Sequence, residues 1–132
     1  MIDFYRMRRL INMLPRIKWD IERKMANAER ITSNITGMPR GENGNRQEDA
    51  YIILADVMDA YHETLEELEQ MRTELKPYVD NLTNPHERAV MRMRYMDGHR
   101  PEKIALAIDR DVRSVYRYLK HAEKQITGGQ NG

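Results

Sequence analysis

Along the first quarter of the chain, Met7, Ile11, Leu14, Ile17, Ile21, Met25, Ala28, Ile31 and Ile35 follow one another at steps of three and four. That spacing keeps them on one face of an amphipathic helix. Pro15 falls inside the pattern and suits a first helical position, so the spacing predicts a short helix leading into a main one over about 15–36. A cluster of turn formers, Thr36-Gly37-Met38-Pro39-Arg40-Gly41-Glu42-Asn43-Gly44-Asn45, then breaks the periodicity and predicts a loop over about 36–47. A second helical stretch opens near Gln47. Leu54, Tyr61, Leu68, Leu75 and Leu82 recur every seven residues, and Ala50, Val57, Thr64, Met71 and Tyr78 repeat at the same interval. Two interleaved rows of this period are a coiled-coil seam. Pro77 is expected to bend or end that helix near Leu75.

The last third changes character. Asn84-Pro85-His86-Glu87 reads as an N-cap, a first-turn proline and a capping-box glutamate. The helix that follows, about 85–96, turns Val90, Met91 or Met93, and Tyr95 toward a core and stops at Asp97-Gly98. A second helix starts at Pro101 with Ile104, Ala105 and Ile108 as its apolar stripe. Asp109-Arg110 makes a tight turn, Asp109 being one of the few residue types that accept a left-handed backbone. Asp111 caps the final helix, about 112–125, which buries Val115, Leu119, Ala122 and Ile126. Two short helices joined this way form a helix-turn-helix. The prediction is an all-α protein: an antiparallel helical hairpin over 1–82, a helix-turn-helix domain over 83–126 and a frayed tail over 127–132.

Charge sharpens this picture. Residues 1–46 hold ten Lys/Arg against five Asp/Glu, residues 47–82 two against ten, and residues 83–132 ten against six, giving nets of +5, −8 and +4. The overall +1 hides a basic–acidic–basic arrangement. Pairing of flanking charges across a hairpin is therefore expected, although each helix could instead pair with another subunit. Phe4, Trp19, Ile52 and Ile53 are left over as candidates for a homodimer contact.

The second helix of a helix-turn-helix enters the DNA major groove. Its outward face here offers Arg113, Ser114, Tyr116, Arg117 and Lys120 as base-contacting candidates, and arginine can grip guanine through two hydrogen bonds. Arg100, Lys103, Arg110 and Lys124 stand where phosphates would pass. Tyr118 is expected to pack on the domain's first helix instead.

Enzyme classes find little support. The chain has no Cys, only Ser33 and Ser114 as serines, no glycine-rich phosphate loop, and His62, His86, His99 and His121 scattered without ligand spacing. Glu63, Glu66, Glu67 and Glu69 read as the wet flank of a coiled coil, and Met91, Met93 and Met96 as core filler. No metal or cofactor is expected. The longest apolar run, residues 50–55, is too short to span a bilayer, and the N-terminus lacks signal-peptide order. The expectation is a cytoplasmic protein.

Glu87-Arg88-Ala89-Val90, Tyr95-Met96-Asp97-Gly98, Glu102-Lys103-Ile104-Ala105, Asp111-Val112-Arg113-Ser114-Val115 and Leu119-Lys120-His121-Ala122 together resemble region 4 of bacterial sigma factors, over about 40 residues. The layout of helical arm, loop, acidic helix and sigma-like domain resembles the ArpU/RinA-type phage and prophage regulators. The resemblance implies a double-stranded DNA-binding transcription regulator of late genes, with Arg113, Tyr116, Arg117 and Lys120 facing bases and RNA polymerase as a further partner. Asp109 stands where the pattern often has Gly, and His99-Arg100-Pro101 departs from the usual residues. No counterpart of sigma region 2 is visible, so strand opening is not implied. Two other readings use the same elements: a small-terminase-like DNA packaging protein, and a polymerase- or sigma-binding interaction module.

Overall fold

A computed structural model describes residues 1–35 and 42–131, with side chains for 1–31 and 46–128. The helices are α1 (Phe4–Ile35), α2 (Glu42–Asp80), α3 (Pro85–Met91) running into a π turn (Arg92–Met96), α4 (Pro101–Ile108) and α5 (Val112–Asn131). No strand occurs among the described residues, and the fold is all-α.

Pro15 and Pro77 sit inside helices rather than at their ends. α1 is continuous through Pro15, so there is no separate leading helix. α2 continues through Pro77 to Asp80, where Asn81 N donates to the Pro77 carbonyl at 3.1 Å. Each proline forfeits one backbone donor, and the long flanking helical turns carry the chain past it. Residues 36–41 of the expected loop lie outside the described residues, and 42–47 open α2 instead of extending that loop.

The chain divides into two compact units. Met1–Ile11 and Leu68–Gly132 make one, and Asn12–Glu67 the other, so the division does not follow the expected 82/83 boundary. Burial supplies the reason. Ile2, Phe4, Met7, Leu10 and Ile11 are buried at the start of α1, and Leu68, Leu75, Val79 and Leu82 at the end of α2. These apolar residues belong to the same unit as the C-terminal helices. Phe4, expected to be a leftover surface residue, lies 5.1 Å from the Tyr95 ring centroid.

In this first unit the core is formed by Val90, Met91, Tyr95, Ile104, Val115 and Ala122, all at most 1% exposed. The Asn84 side chain accepts from His86 N at 2.8 Å and from Glu87 N at 3.4 Å, the N-cap the sequence predicts. Glu87 departs from the capping box. Its carboxylate is buried and pairs with His121 Nδ1 on α5. The α3 turns then widen into the π turn, where Asp97 N reaches back five residues to the Arg92 carbonyl at 3.0 Å. Gly98, at φ +76°, ends it. α4 closes with Asp109 at φ 53°, ψ 50°, and Arg110 N donates to the Ala105 carbonyl at 3.0 Å. This is a left-handed helix stop made without glycine. Asp111 Oδ1 accepts from Ser114 N at 2.9 Å and starts α5.

α5 does not fray at 127. Ile126 is buried, Thr127 Oγ1 donates to the Glu123 carbonyl at 3.0 Å, and the helix runs to Asn131.

In the second unit the seam rows of α2 turn inward: Ala50 and Thr64 are buried, and Leu54, Val57 and Tyr61 half-buried. On α1 the buried residue is Ala28. Flanking charges behave differently from expectation. Among the described residues, no ion pair joins the charged side chains of 12–31 to those of 46–66. Trp19, Ile52 and Ile53 are exposed, at 59%, 53% and 47%.

The backbone at Asp109 makes a direct prediction. Asp109→Gly should leave stability unchanged or raise it, whereas Asp109→Val should cost about 1–2 kcal/mol in urea denaturation, because a β-branched side chain clashes in the left-handed region. Equal midpoints for the two variants would contradict the turn geometry.

Candidate nucleic-acid interface

α5 is strongly two-sided. Val115, Leu119, Ala122 and Ile126, at steps of three and four, fill the inner face. At 100° per residue, Arg113, Tyr116, Arg117, Lys120 and Lys124 fall on the opposite face, and all are exposed. Tyr116 is 53% exposed, whereas Tyr118 stacks on His86 of α3 with ring centroids 5.6 Å apart, as expected. The Arg117 guanidinium lies 5.6 Å from the Tyr118 ring centroid.

Of the other candidate positions, Arg110 lies exposed in the turn before α5, Arg100 immediately before α4, and Lys103 in the first turn of α4. Ser114 is placed differently from the rest. It is half-buried, and its backbone N–H donates to Oδ1 of the capping Asp111 at 2.9 Å; hydrogen bonding to Ser114 holds the Asp111 carboxyl below the usual carboxylate range. It belongs to the scaffold that aims the arginines more than to the open face.

Beside the basic face lies a groove of about 430 Å³, lined by Arg8, Arg94, Tyr95, Pro101, Tyr116, Leu119, Lys120 and Glu123. At its floor Arg8 Nη1 donates to Tyr95 Oη at 2.9 Å and to Glu123 Oε1 at 2.7 Å, while the Tyr95 hydroxyl donates to the same Glu123 oxygen. Burial, then the Glu123 charge and its hydrogen bond, push the Tyr95 hydroxyl well above its usual range, so it stays protonated. Partial burial opposes the charge on Arg8, but its bonds to Tyr95 and Glu123 and the Glu123 charge hold its affinity for the proton above the ordinary value. Arg94 is buried, with Nη1 donating to the His99 carbonyl at 3.2 Å.

Sequence reasoning missed this cluster. Arg8 and Glu123 are 115 positions apart, and no local spacing links them.

With the helices and their faces placed, family membership can be read. The chain belongs to the DUF1492 family. Its model, described as a protein of unknown function, matches residues 24–127. The match therefore takes in the end of α1, all of α2, α3, the π turn and α4, and most of α5. No curated protein and no solved structure matches the chain. Among the described residues of this DUF1492 member there is no cluster of three or more metal-ligating side chains, and no helix is long and apolar enough to cross a membrane.

Tyr95→Phe should cost about 1–3 kcal/mol, the range for hydrogen bonds to charged groups, because it removes the hydroxyl that serves both Arg8 and Glu123. Urea denaturation measures it, and unchanged stability would contradict the linkage. Asp111 sets a pH dependence. Its lowered folded pKa adds stability that is present above the usual carboxylate range and lost as pH falls through the folded value. Asp111→Asn, which still caps, should keep neutral-pH stability and flatten the decline below about pH 4. An unaltered acid profile would show that this carboxylate is not the titrating group.

Proposed function

We propose that this protein is a sequence-specific double-stranded DNA-binding transcription regulator that reads the major groove with α5. The observation that carries the reading is the α4–turn–α5 unit: two short helices locked by a left-handed stop and an N-cap, with Arg113, Tyr116, Arg117, Lys120 and Lys124 on the one face of α5 its core leaves open. That is the form of a helix-turn-helix, whose second helix presents N-terminal side chains to base edges. The resemblance to sigma region 4 and to ArpU/RinA-type regulators supports a phage- or prophage-encoded activator of late genes, acting in the cytoplasm of the bacterial host, with RNA polymerase as a further partner.

Roles follow from position. Arg113 and Arg117, one turn apart, are the base readers, since a bidentate arginine–guanine pair discriminates by about 1–3 kcal/mol. Arg100, Lys103, Arg110 and Lys124 contact phosphates and set affinity without sequence information. Tyr116 and Lys120, which border the groove, flank the readers. The acidic α2 would repel a duplex alongside it and therefore stays away from the DNA. Nothing in this reading calls for catalysis.

Arg117→Ala and Lys120→Ala should each weaken binding to the cognate duplex, measured by fluorescence anisotropy. Lys124→Ala should instead weaken all duplexes alike and reduce the slope of log affinity against log salt by about 0.9, one phosphate contact. Unchanged affinity in both Arg117→Ala and Lys120→Ala would overturn the assignment of α5 to the groove.

A further inference from the structure

The second unit carries two charge rows for which the described residues provide no partner of opposite charge. Arg16, Arg23 and Arg30 recur every seven residues on α1, and Asp49, Asp56 and Glu63 at the same interval on α2. Seven residues bring a helix back to within about 20° of the starting direction, so each trio is a single stripe. Each stripe is about 21 Å long at 1.5 Å rise per residue. All six side chains are exposed, and among the described residues none has a partner of opposite charge. The Arg23 guanidinium lies 4.6 Å from the Trp19 ring centroid, and Arg30 Nη2 donates to Asn27 Oδ1 at 2.9 Å.

The arginine stripe is edged by apolar surface. Trp19 is 59% exposed and borders an open groove lined by Pro15, Arg16, Ile17 and Asp20. On α2, Ile52 and Ile53 lie between Asp49 and Asp56 and are about half exposed. Exposed large apolar residues rimmed by charge mark interaction surfaces.

We infer that the second unit is a self-association surface, on which the arginine stripe of one copy lies antiparallel along the acidic stripe of a second copy. The occupant is another copy of this chain because the complement of each stripe, in sign, number and interval, is present in the same sequence. Under two-fold symmetry the contact is made twice, arginine row to acidic row and acidic row to arginine row, which closes the dimer. In the antiparallel register Arg16 meets Glu63, Arg23 meets Asp56 and Arg30 meets Asp49. Trp19 then falls opposite Ala60, and Ala26 opposite Ile53, so bulky side chains meet small ones. Exposed ion pairs contribute little affinity one by one, so the apolar residues supply the affinity and the charges select partner and direction. The inference rests on the second unit alone and stands or falls independently of DNA binding.

Sedimentation velocity of the full chain, over a concentration series at physiological salt, tests it. The wild type should be a dimer. Arg16→Glu/Arg23→Glu/Arg30→Glu should weaken association on the order of tenfold or more by setting like charges together. Asp49→Lys/Asp56→Lys/Glu63→Lys should do the same, and an equimolar mixture of the two variants should recover the dimer, since both contacts become complementary again. A monomeric wild type, reversal variants that associate as tightly as the wild type, or a mixture that stays monomeric would each overturn the proposal. Should a triple variant lose its helical circular dichroism, the central pair, Arg23→Glu mixed with Asp56→Lys, gives the same test with one change per chain.

Discussion

Tyr95 is the point at which the first unit is tied together. Its hydroxyl meets Arg8 from α1 and Glu123 from α5, its ring packs on Phe4, and its carbonyl accepts from Arg72 Nε of α2 at 2.7 Å. Three separate stretches of chain therefore converge on one residue of the π turn. A π turn shifts the register of the residues after it, and such turns often sit at functional positions. Here the shift coincides with a buried, hydrogen-bonded tyrosine at the floor of a groove whose rim carries Tyr116 and Lys120. Because Arg8 and Glu123 sit where water is partly excluded, their pairing with Tyr95 is more consequential than the surface pair Lys76–Asp80, in which screening by solvent leaves little net gain.

That anchoring has a consequence for α5. Glu123 is held from α1 through Arg8, His121 is held from α3 through Glu87, and Tyr118 stacks on His86. Three positions within less than two turns of the helix are thus held from neighbouring elements, while the cations on its outer face are left to the solvent. A recognition helix needs this arrangement, since base readout depends on side chains projected from a backbone that does not move. The cap at Asp111 and the stop at Asp109 set where that helix begins.

Local chemistry was legible in the sequence. The Asn84 and Asp111 caps, the left-handed Asp109, the Gly98 stop, and the inner faces of α4 and α5 follow from residue type and spacing, because each depends on neighbours within a turn or two. The outward position of Arg113, Tyr116, Arg117 and Lys120 follows from the same periodicity. What the sequence did not disclose depends on distant partners. Glu87 looks like a capping-box residue until His121 is brought to it. Pro15 and Pro77 read as helix boundaries on local sterics, yet long helices run through both. The compact units divide at Ile11 and Leu68 because burial of the α1 start is a tertiary fact that hydrophobic period alone does not locate. The opposite charges of the first two segments suggested pairing within the chain, yet among the described residues no ion pair joins the charged side chains of 12–31 to those of 46–66.

The proposed readout of duplex sequence by α5 can be put to selection of bound fragments from a random-sequence duplex library by the purified full chain, sequenced at low and at physiological salt. One enriched motif that survives at physiological salt is expected, with affinity falling steeply as salt rises because cations on and around α5 displace counterions from phosphates. Weak capture with no enriched motif at either salt would contradict that readout and leave the basic face of α5 as solvated surface.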